Sequence, residues 1–153
     1  MKLRPVYIHP NGGRLFQSGS RYLANFELEE KVRLVAELDI ALIINVATDG
    51  GRELEMYTRY RHAPFGDNKQ FRPKMPEVMK IAQEAAGILA NGRSVLTHCQ
   101  YGVNRSGLTN ALIIRECERC NGAEAFQILK MRRPGACGGN PHFAAWLIEL
   151  PCP

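Results

Sequence analysis

The run His98-Cys99-Gln100-Tyr101-Gly102-Val103-Asn104-Arg105-Ser106-Gly107 constrains this chain more than any other stretch. A strand-like segment, Ser94-Val95-Leu96-Thr97, leads into it, and a helix-like segment carrying Leu108, Ala111, Leu112, Ile113 and Ile114 leads out. The order is strand, tight loop, helix. The loop holds a cysteine and an arginine six positions apart, with Gly102 and Gly107 on either side of the arginine. A loop of this kind turns successive backbone N–H groups toward one point, and the helix behind it adds the partial positive charge of its N-terminus. That is a seat for a dianion such as phosphate. A cysteine at its base is held as thiolate, the nucleophilic form.

The rest of the chain alternates strands and helices around that unit. Residues 6–8 and 15–18 read as short strands split by the turn Pro10-Asn11-Gly12-Gly13. Residues 28–38 space Leu28, Val32, Val35 and Ala36 at helical intervals. Residues 40–46 form an apolar run, broken only by Asn45, that suits a strand buried on both faces. Residues 54–60 alternate Leu54, Met56, Thr58 and Tyr60 and predict the next strand. A proline-marked polar loop follows, then a helix over 76–90 ended by Asn91-Gly92. Residues 94–98 are the strand entering the loop, 107–117 the helix leaving it, and 123–131 and 142–150 two further helices. Trp146 reads as core packing. The pattern predicts an α/β fold with a central, mostly parallel sheet of about four to five strands flanked by helices. Ligands then gather at the carboxyl ends of the strands, where the Cys99 loop lies.

With 153 residues the chain has room for one domain, taken as 1–153, and not for two. No apolar run approaches the roughly 20 residues that span a bilayer, so no stable membrane insertion is expected. The start, Met1-Lys2-Leu3-Arg4-Pro5, lacks the apolar segment of a signal peptide. Five cysteines, an odd number, then point to reduced thiols and a cytoplasmic setting. Cys117 and Cys120 form a Cys-x2-Cys on a helical stretch, and Cys137 and His142 would complete four zinc-type ligands. Zinc sites usually place such pairs on turns, so ordinary thiols are expected and no metal or other cofactor. The redox roles of Cys117, Cys120, Cys137 and Cys152 stay open. The net charge of +5 favours anionic ligands in general. Arg59, Arg61, Lys69, Arg72, Lys74, Arg132 and Arg133 are candidates for steering one toward the loop.

The loop resembles the His-Cys-x5-Arg-Ser/Thr signature of cysteine-dependent protein-tyrosine and dual-specificity phosphatases. Cys99, Gly102, Arg105, Ser106 and Gly107 all fall on it, with His98 in front. The stretch 104–108 is most similar to compact bacterial and phage proteins of the dual-specificity type. The family needs a carboxylic acid on a loop upstream. Asp67, in Pro64-Phe65-Gly66-Asp67-Asn68-Lys69-Gln70-Phe71, lies 32 residues before Cys99, a separation similar to that in compact members. Asp49, after the strand 42–46, is the competing acid. Ile44-Asn45-Val46-Ala47 resembles the segment whose asparagine braces the phosphate loop, and Arg132-Arg133-Pro134-Gly135 with Asn140-Pro141-His142-Phe143 resembles the family's C-terminal pattern.

The resemblance implies roles. Backbone N–H groups of Gln100, Tyr101, Gly102, Val103, Asn104 and Arg105 hold the phosphoryl oxygens, and Arg105 clasps two of them with its planar fork. Cys99 attacks phosphorus, Asp67 acts as general acid and then base, and Ser106 donates a hydrogen bond to the departing thiolate. His98 points away from the pocket and, with Asn45, supports the loop. The expected activity is hydrolysis of phosphate monoesters in proteins: phosphotyrosine, with phosphoserine and phosphothreonine open. Tyr7, Tyr57, Tyr60 and Tyr101 are candidates to line the pocket. Asn104 before the arginine also resembles RNA 5'-triphosphatases of mRNA capping. An RNA 5' end or a phospholipid is therefore the alternative substrate, and a non-catalytic phosphate-binding pseudophosphatase the third reading.

Overall fold

The structure, a computed structural model, describes residues 1–48 and 52–153. In chain order it runs β1 (Pro5–Ile8), β2 (Arg14–Gly19), α1 (Ser20–Leu23), α2 (Leu28–Glu37), β3 (Ile40–Asn45), β4 (Arg59–His62), a 3-10 turn (Arg72–Lys74), α3 (Met75–Ala90), β5 (Ser94–Cys99), α4 (Arg105–Glu118), α5 (Gly122–Arg132) and α6 (Pro141–Glu149). The five strands form one sheet in the order β1-β2-β5-β3-β4. β1 and β2 pair antiparallel, and the remaining neighbours pair parallel. This is the expected α/β class with its mostly parallel sheet.

Period-2 alternation sends the two faces of the sheet into two cores. Leu15, Leu42, Ile44 and Val95 face one side, where they meet α3, α4, α5 and α6 through Val78, Leu108, Leu112, Leu129 and Phe143. Their chain neighbours Phe16, Ile43 and Leu96 face the other side and pack with Val35 of α2 and with Leu54. β5 lies in the centre of the sheet and is buried along its whole length. α4 is buried from Arg105 through Arg115, which explains why it is apolar on more than one stripe. The loop is thus flanked by a fully buried strand and by the most enclosed helix of the described residues. Among the described residues, no helix is long and apolar enough to cross a membrane.

Two expectations need correction. The strand predicted over 54–60 is instead β4, Arg59–His62, and Glu53 to Tyr57 form turns. Leu54 is buried alone in the second core while Met56 is 91% exposed, so the two do not share a strand face. Register decides this: β3 pairs Leu42 with Arg59 and Asn45 with His62. An edge strand with one solvated face needs no apolar alternation and tolerates charge. Arg59 and Arg61, offered by the sequence as steering candidates, therefore project to Glu84 of α3, at 3.2 and 3.1 Å. The short helix α1 was also absent from the sequence reading.

Aromatic packing fixes the segment that follows β4. Phe65 and Phe71 meet Phe143 of α6 edge-on at centroid distances of 5.9 and 4.7 Å, and Phe71 meets Trp146 at 5.8 Å. Asp67 lies between the first two. Phe143 is fully buried, so Phe143→Ala should cost about 3–5 kcal/mol by the usual toll of emptying an aromatic site. Urea unfolding of the two proteins measures this, and a loss below about 1 kcal/mol would mean that the ring cluster does not hold the segment.

Candidate active site

The loop between β5 and α4 is shaped by where its carbonyls go. The Gln100 carbonyl accepts from the Arg21 N–H of α1 at 3.2 Å. The Gly102 carbonyl accepts from Gln17 Nε2 at 3.0 Å and Arg133 Nη2 at 2.6 Å. The Val103 carbonyl accepts from the Cys137 N–H at 3.3 Å, and the Asn104 carbonyl from the Leu108 N–H at 2.9 Å. With the carbonyls satisfied outside, N–H groups turn inward, forming a concavity suited to anions. The Gly102 N–H reaches Cys99 Sγ at 3.3 Å.

Two glycines permit this path. Gly102 has φ +74°, and a Cβ there would lie 2.5 Å from the Ser18 backbone. A Cβ on Gly19, at the end of β2, would lie 2.6 Å from the Tyr101 backbone. The loop can rest on the end of β2 because neither residue has a side chain.

Cys99 is 2% exposed. Burial, the largest influence, pushes its thiol up. The Ser106 hydroxyl, with Sγ and Oγ 3.3 Å apart, and the N–H groups of Ser106, Gly102 and Val103 pull it down and prevail, so the thiol sits below its ordinary value. Cys117 and Cys137 follow the opposite rule: burial and neighbouring acidic groups push both up to about 12. Arg105 is buried at the first position of α4. Its Nη1 donates to the Phe65 carbonyl at 3.4 Å, and its Nε has no partner. An unpaired buried donor costs roughly 1–3 kcal/mol, so the guanidinium is primed for an acceptor.

Asp67 hangs over the same loop. Its Oδ2 accepts from Asn104 Nδ2 at 3.0 Å and its Oδ1 from Asn140 Nδ2 at 2.8 Å. Cys99, the loop amides, Arg105, Ser106 and Asp67 thus come from four segments to one mouth. The competing acid, Asp49, lies outside the described residues.

Other candidates lie elsewhere. Asn45 accepts the Ala47 N–H at 2.9 Å and donates to the Tyr60 hydroxyl at 2.9 Å, which orders the chain as it leaves β3. The tie from there to the loop strand runs through the backbone, from the Val46 N–H to the His98 carbonyl at 3.0 Å. Tyr7 is buried with its hydroxyl on Glu118, 2.6 Å away, and of the four candidate tyrosines Tyr101 is the one in the loop. Among the described residues, no group of three or more His, Cys, Asp or Glu side chains is arranged to hold a metal. The charge near the loop is also distributed differently from the sequence expectation. A cavity of ≈ 480 Å³ beside Tyr101 is lined by Lys2, Arg4, Arg132 and Arg133.

This geometry has relatives. Residues 21–151 match the family model described as "Dual specificity phosphatase, catalytic domain". The chain belongs to that family. Human dual specificity protein phosphatase 2 is 31% identical over 115 residues, which cover 72% of this chain and 35% of that protein. The mouse protein of the same name is 27% identical over 149 residues, 95% of this chain and 45% of that protein. The chain thus spans between about a third and a half of the length of these relatives. Among solved structures, human DUSP28 superposes with a TM-score of 0.73 at 22% identity, covering 96% of this chain and 90% of that one. The human tyrosine phosphatase-like serine/threonine/tyrosine-interacting protein gives 0.73 at 22%, covering 96% and 93%. At such identities the likeness is one of fold. Because that fold carries both phosphatases and a phosphatase-like protein, activity has to be argued from side chains.

Sequence reasoning missed several members of this dual-specificity phosphatase site. Gln17 is buried in β2, where it both donates to the loop and accepts from Asn110 Nδ2 at 3.1 Å. Its neighbours in β2, Arg14, Ser18 and Gly19, are not apolar either, so the sequence did not mark this glutamine as buried. Arg133 and Asn140 fell within the C-terminal pattern of the resemblance, but neither they nor Gly19 carried a local signal of the partners they meet, Gly102, Asp67 and Tyr101.

His98 has a consequence for stability. The ring is 2% exposed, and burial pushes it down from 6.5 to about 4, offset only partly by a hydrogen bond with the Cys99 backbone. The unfolded chain therefore binds more protons between about pH 6.5 and 4. Stability falls as pH drops through that window, by about 3 kcal/mol if the whole shift is expressed. Denaturant unfolding of wild type and His98→Gln across the window should show a steeper loss in the wild type; parallel slopes would assign the titration to other groups.

Proposed function

We propose that this chain is a phosphatase that hydrolyses phosphate monoesters on phosphorylated proteins, phosphotyrosine first, through a cysteinyl-phosphate. The observation that carries this reading is the buried Cys99 sulfur. Hydrogen bonds from Ser106 and the loop N–H groups hold its thiol below the ordinary value despite burial.

The phosphoryl group sits in the loop, its oxygens on the amides of residues 100–105 and on Arg105. The Cys99 thiolate attacks phosphorus in line as the bond to the leaving oxygen breaks. Asp67 gives that oxygen a proton. Asp67 then takes a proton from water as the water oxygen attacks phosphorus, breaking the S–P bond and releasing phosphate. Ser106 donates to the sulfur as negative charge returns to it. Arg105 and the loop amides carry the charge that develops on the phosphoryl oxygens. His98, neutral and buried, takes no part in proton transfer and holds the strand end in place.

Asp67 over the loop supports the monoester reading over a phosphoanhydride such as an RNA 5'-triphosphate, whose good leaving group can dispense with an acid. Residues 1–153 are taken as one catalytic domain. All five cysteines are free thiols, which supports a reducing setting such as the cytoplasm.

The chemistry is tested with para-nitrophenyl phosphate under reducing conditions without added metal. Wild type should turn over and Cys99→Ser should lose at least about a thousandfold, consistent with removal of a covalent nucleophile. A Cys99→Ser protein with substantial residual activity would exclude the cysteinyl-phosphate. The acid is tested separately: Asp67→Asn should lower kcat by about a hundredfold on phenyl phosphate and much less on para-nitrophenyl phosphate. Equal losses on both would remove Asp67 from the acid's role and pass the question to Asp49.

A further inference from the structure

Asn104 sits at the N-cap of α4, where an asparagine oxygen ordinarily accepts an N–H of the first helical turn. It does not do so here: the side chain makes no cap hydrogen bond. Its Oδ1 instead accepts the Gly139 N–H at 3.1 Å, and its Nδ2 donates to Asp67 at 3.0 Å. The helix thereby keeps its first N–H groups facing the loop, and the cap residue is used on the acid.

Asn140 makes the matching arrangement from the other side. It is 4% exposed and caps α6, its Oδ1 accepting the His142 N–H at 3.1 Å. Its Nδ2 donates to the second Asp67 oxygen at 2.8 Å and to the Asn68 carbonyl at 3.4 Å. Two amides thus hold both carboxylate oxygens. One belongs to the residue next to Arg105 and the other to the start of α6. Gly139 makes room for the pair, since a Cβ there would lie 2.8 Å from Asn104 Nδ2.

We propose that Asn104 and Asn140 form an amide clamp that positions the Asp67 carboxyl for proton transfer and ties it to the phosphate loop. This rests on the reading of Asp67 as general acid and base. Both asparagines are positioning residues that act through Asp67. Fixing two oxygens fixes the plane of the carboxyl as well as its place, which a single donor cannot do, and misplacing a reacting group by about 1 Å can cost a hundredfold. Because Asn104 adjoins Arg105, the acid is held by the same short segment that carries the phosphoryl clasp.

The test compares kcat on phenyl phosphate, whose leaving group needs a proton, with kcat on para-nitrophenyl phosphate. The variants are Asn104→Ala and Asn140→Ser, the latter keeping a helix cap while being too short to reach Asp67. Each should lose roughly tenfold in kcat on phenyl phosphate and under about threefold on the nitro ester, a share of the acid's usual contribution. In an Asp67→Asn background, Asn104→Ala should add no leaving-group-dependent loss. Equal losses on both substrates, or the same loss with and without the Asp67 carboxyl, would overturn the clamp and assign Asn104 to the phosphate seat. If Asp67→Asn alone costs the two substrates equally, the acid reading fails and takes the clamp with it. If Asp67→Asn discriminates between the substrates and neither asparagine variant does, only the clamp fails. Gly139→Ala, which crowds the Asn104 amide without touching Asp67, should reproduce the Asn104→Ala pattern in weaker form; an unaltered profile with Asn104 displaced would overturn the clamp.

Discussion

The outward hydrogen bonding of the loop carbonyls is the constraint on which the rest of this structure depends. A short loop has as many carbonyls as N–H groups, and it can converge its N–H groups on one point only if the carbonyls are satisfied elsewhere. Here the donors come from α1, from Gln17 in β2, from Arg133 beyond α5 and from the Cys137 backbone. Three parts of the chain hold them: α1, β2 and the segment between α5 and α6. Removing the segment between α5 and α6 would leave the Val103 carbonyl seeking a donor, and removing α1 would do the same to the Gln100 carbonyl.

The sheet order follows from the same need. β5 must be central, because a thiol can be buried and still ringed by donors only where neighbours close in on all sides. β2 and β3 supply that enclosure, with Ser18 and Asn45 both in register with His98. The glycines at the contact between β2 and the loop admit the close approach. Electrostatics then divides the cysteines. Burial and nearby acidic groups raise the thiols of Cys117 and Cys137, whereas burial is overcome at Cys99, where several donors converge. Chemical identity is the same at the three positions, and local hydrogen-bond supply makes the difference.

The C-terminal part of the chain does more than complete the core. The segment from Arg133 to Asn140 binds the loop through Arg133, Cys137 and Gly139 and binds Asp67 through Asn140. Phe143, just beyond, grips the rings on either side of Asp67. Asp67 and Cys99, 32 residues apart in the chain, are registered to one another by a third segment that follows both. This connection is why the aromatic cluster of α6 bears on the placement of Asp67 as well as on stability.

Strand, loop and helix around Cys99 were legible in the sequence, because the periodicity of 94–98 and of 107–117 and the glycines between them are local signals. So were the α/β class, most helix and strand positions, and the segment carrying Asp67. The edge strand β4 was not legible, since its position is set by hydrogen bonds to β3 and its solvated side chains leave no apolar pattern. Nor were the roles of Gln17, Arg133, Asn104 and Asn140. Hydrogen bonds across 31 to 93 residues leave no trace in spacing. The sequence by itself determined which groups the chain possesses and the local backbone path that presents Cys99 and Arg105 together. Only the tertiary structure decided which donors reach the sulfur, which arginines are occupied by Glu84, and what holds Asp67. Those outcomes depend on distances between segments, and chain order does not encode such distances.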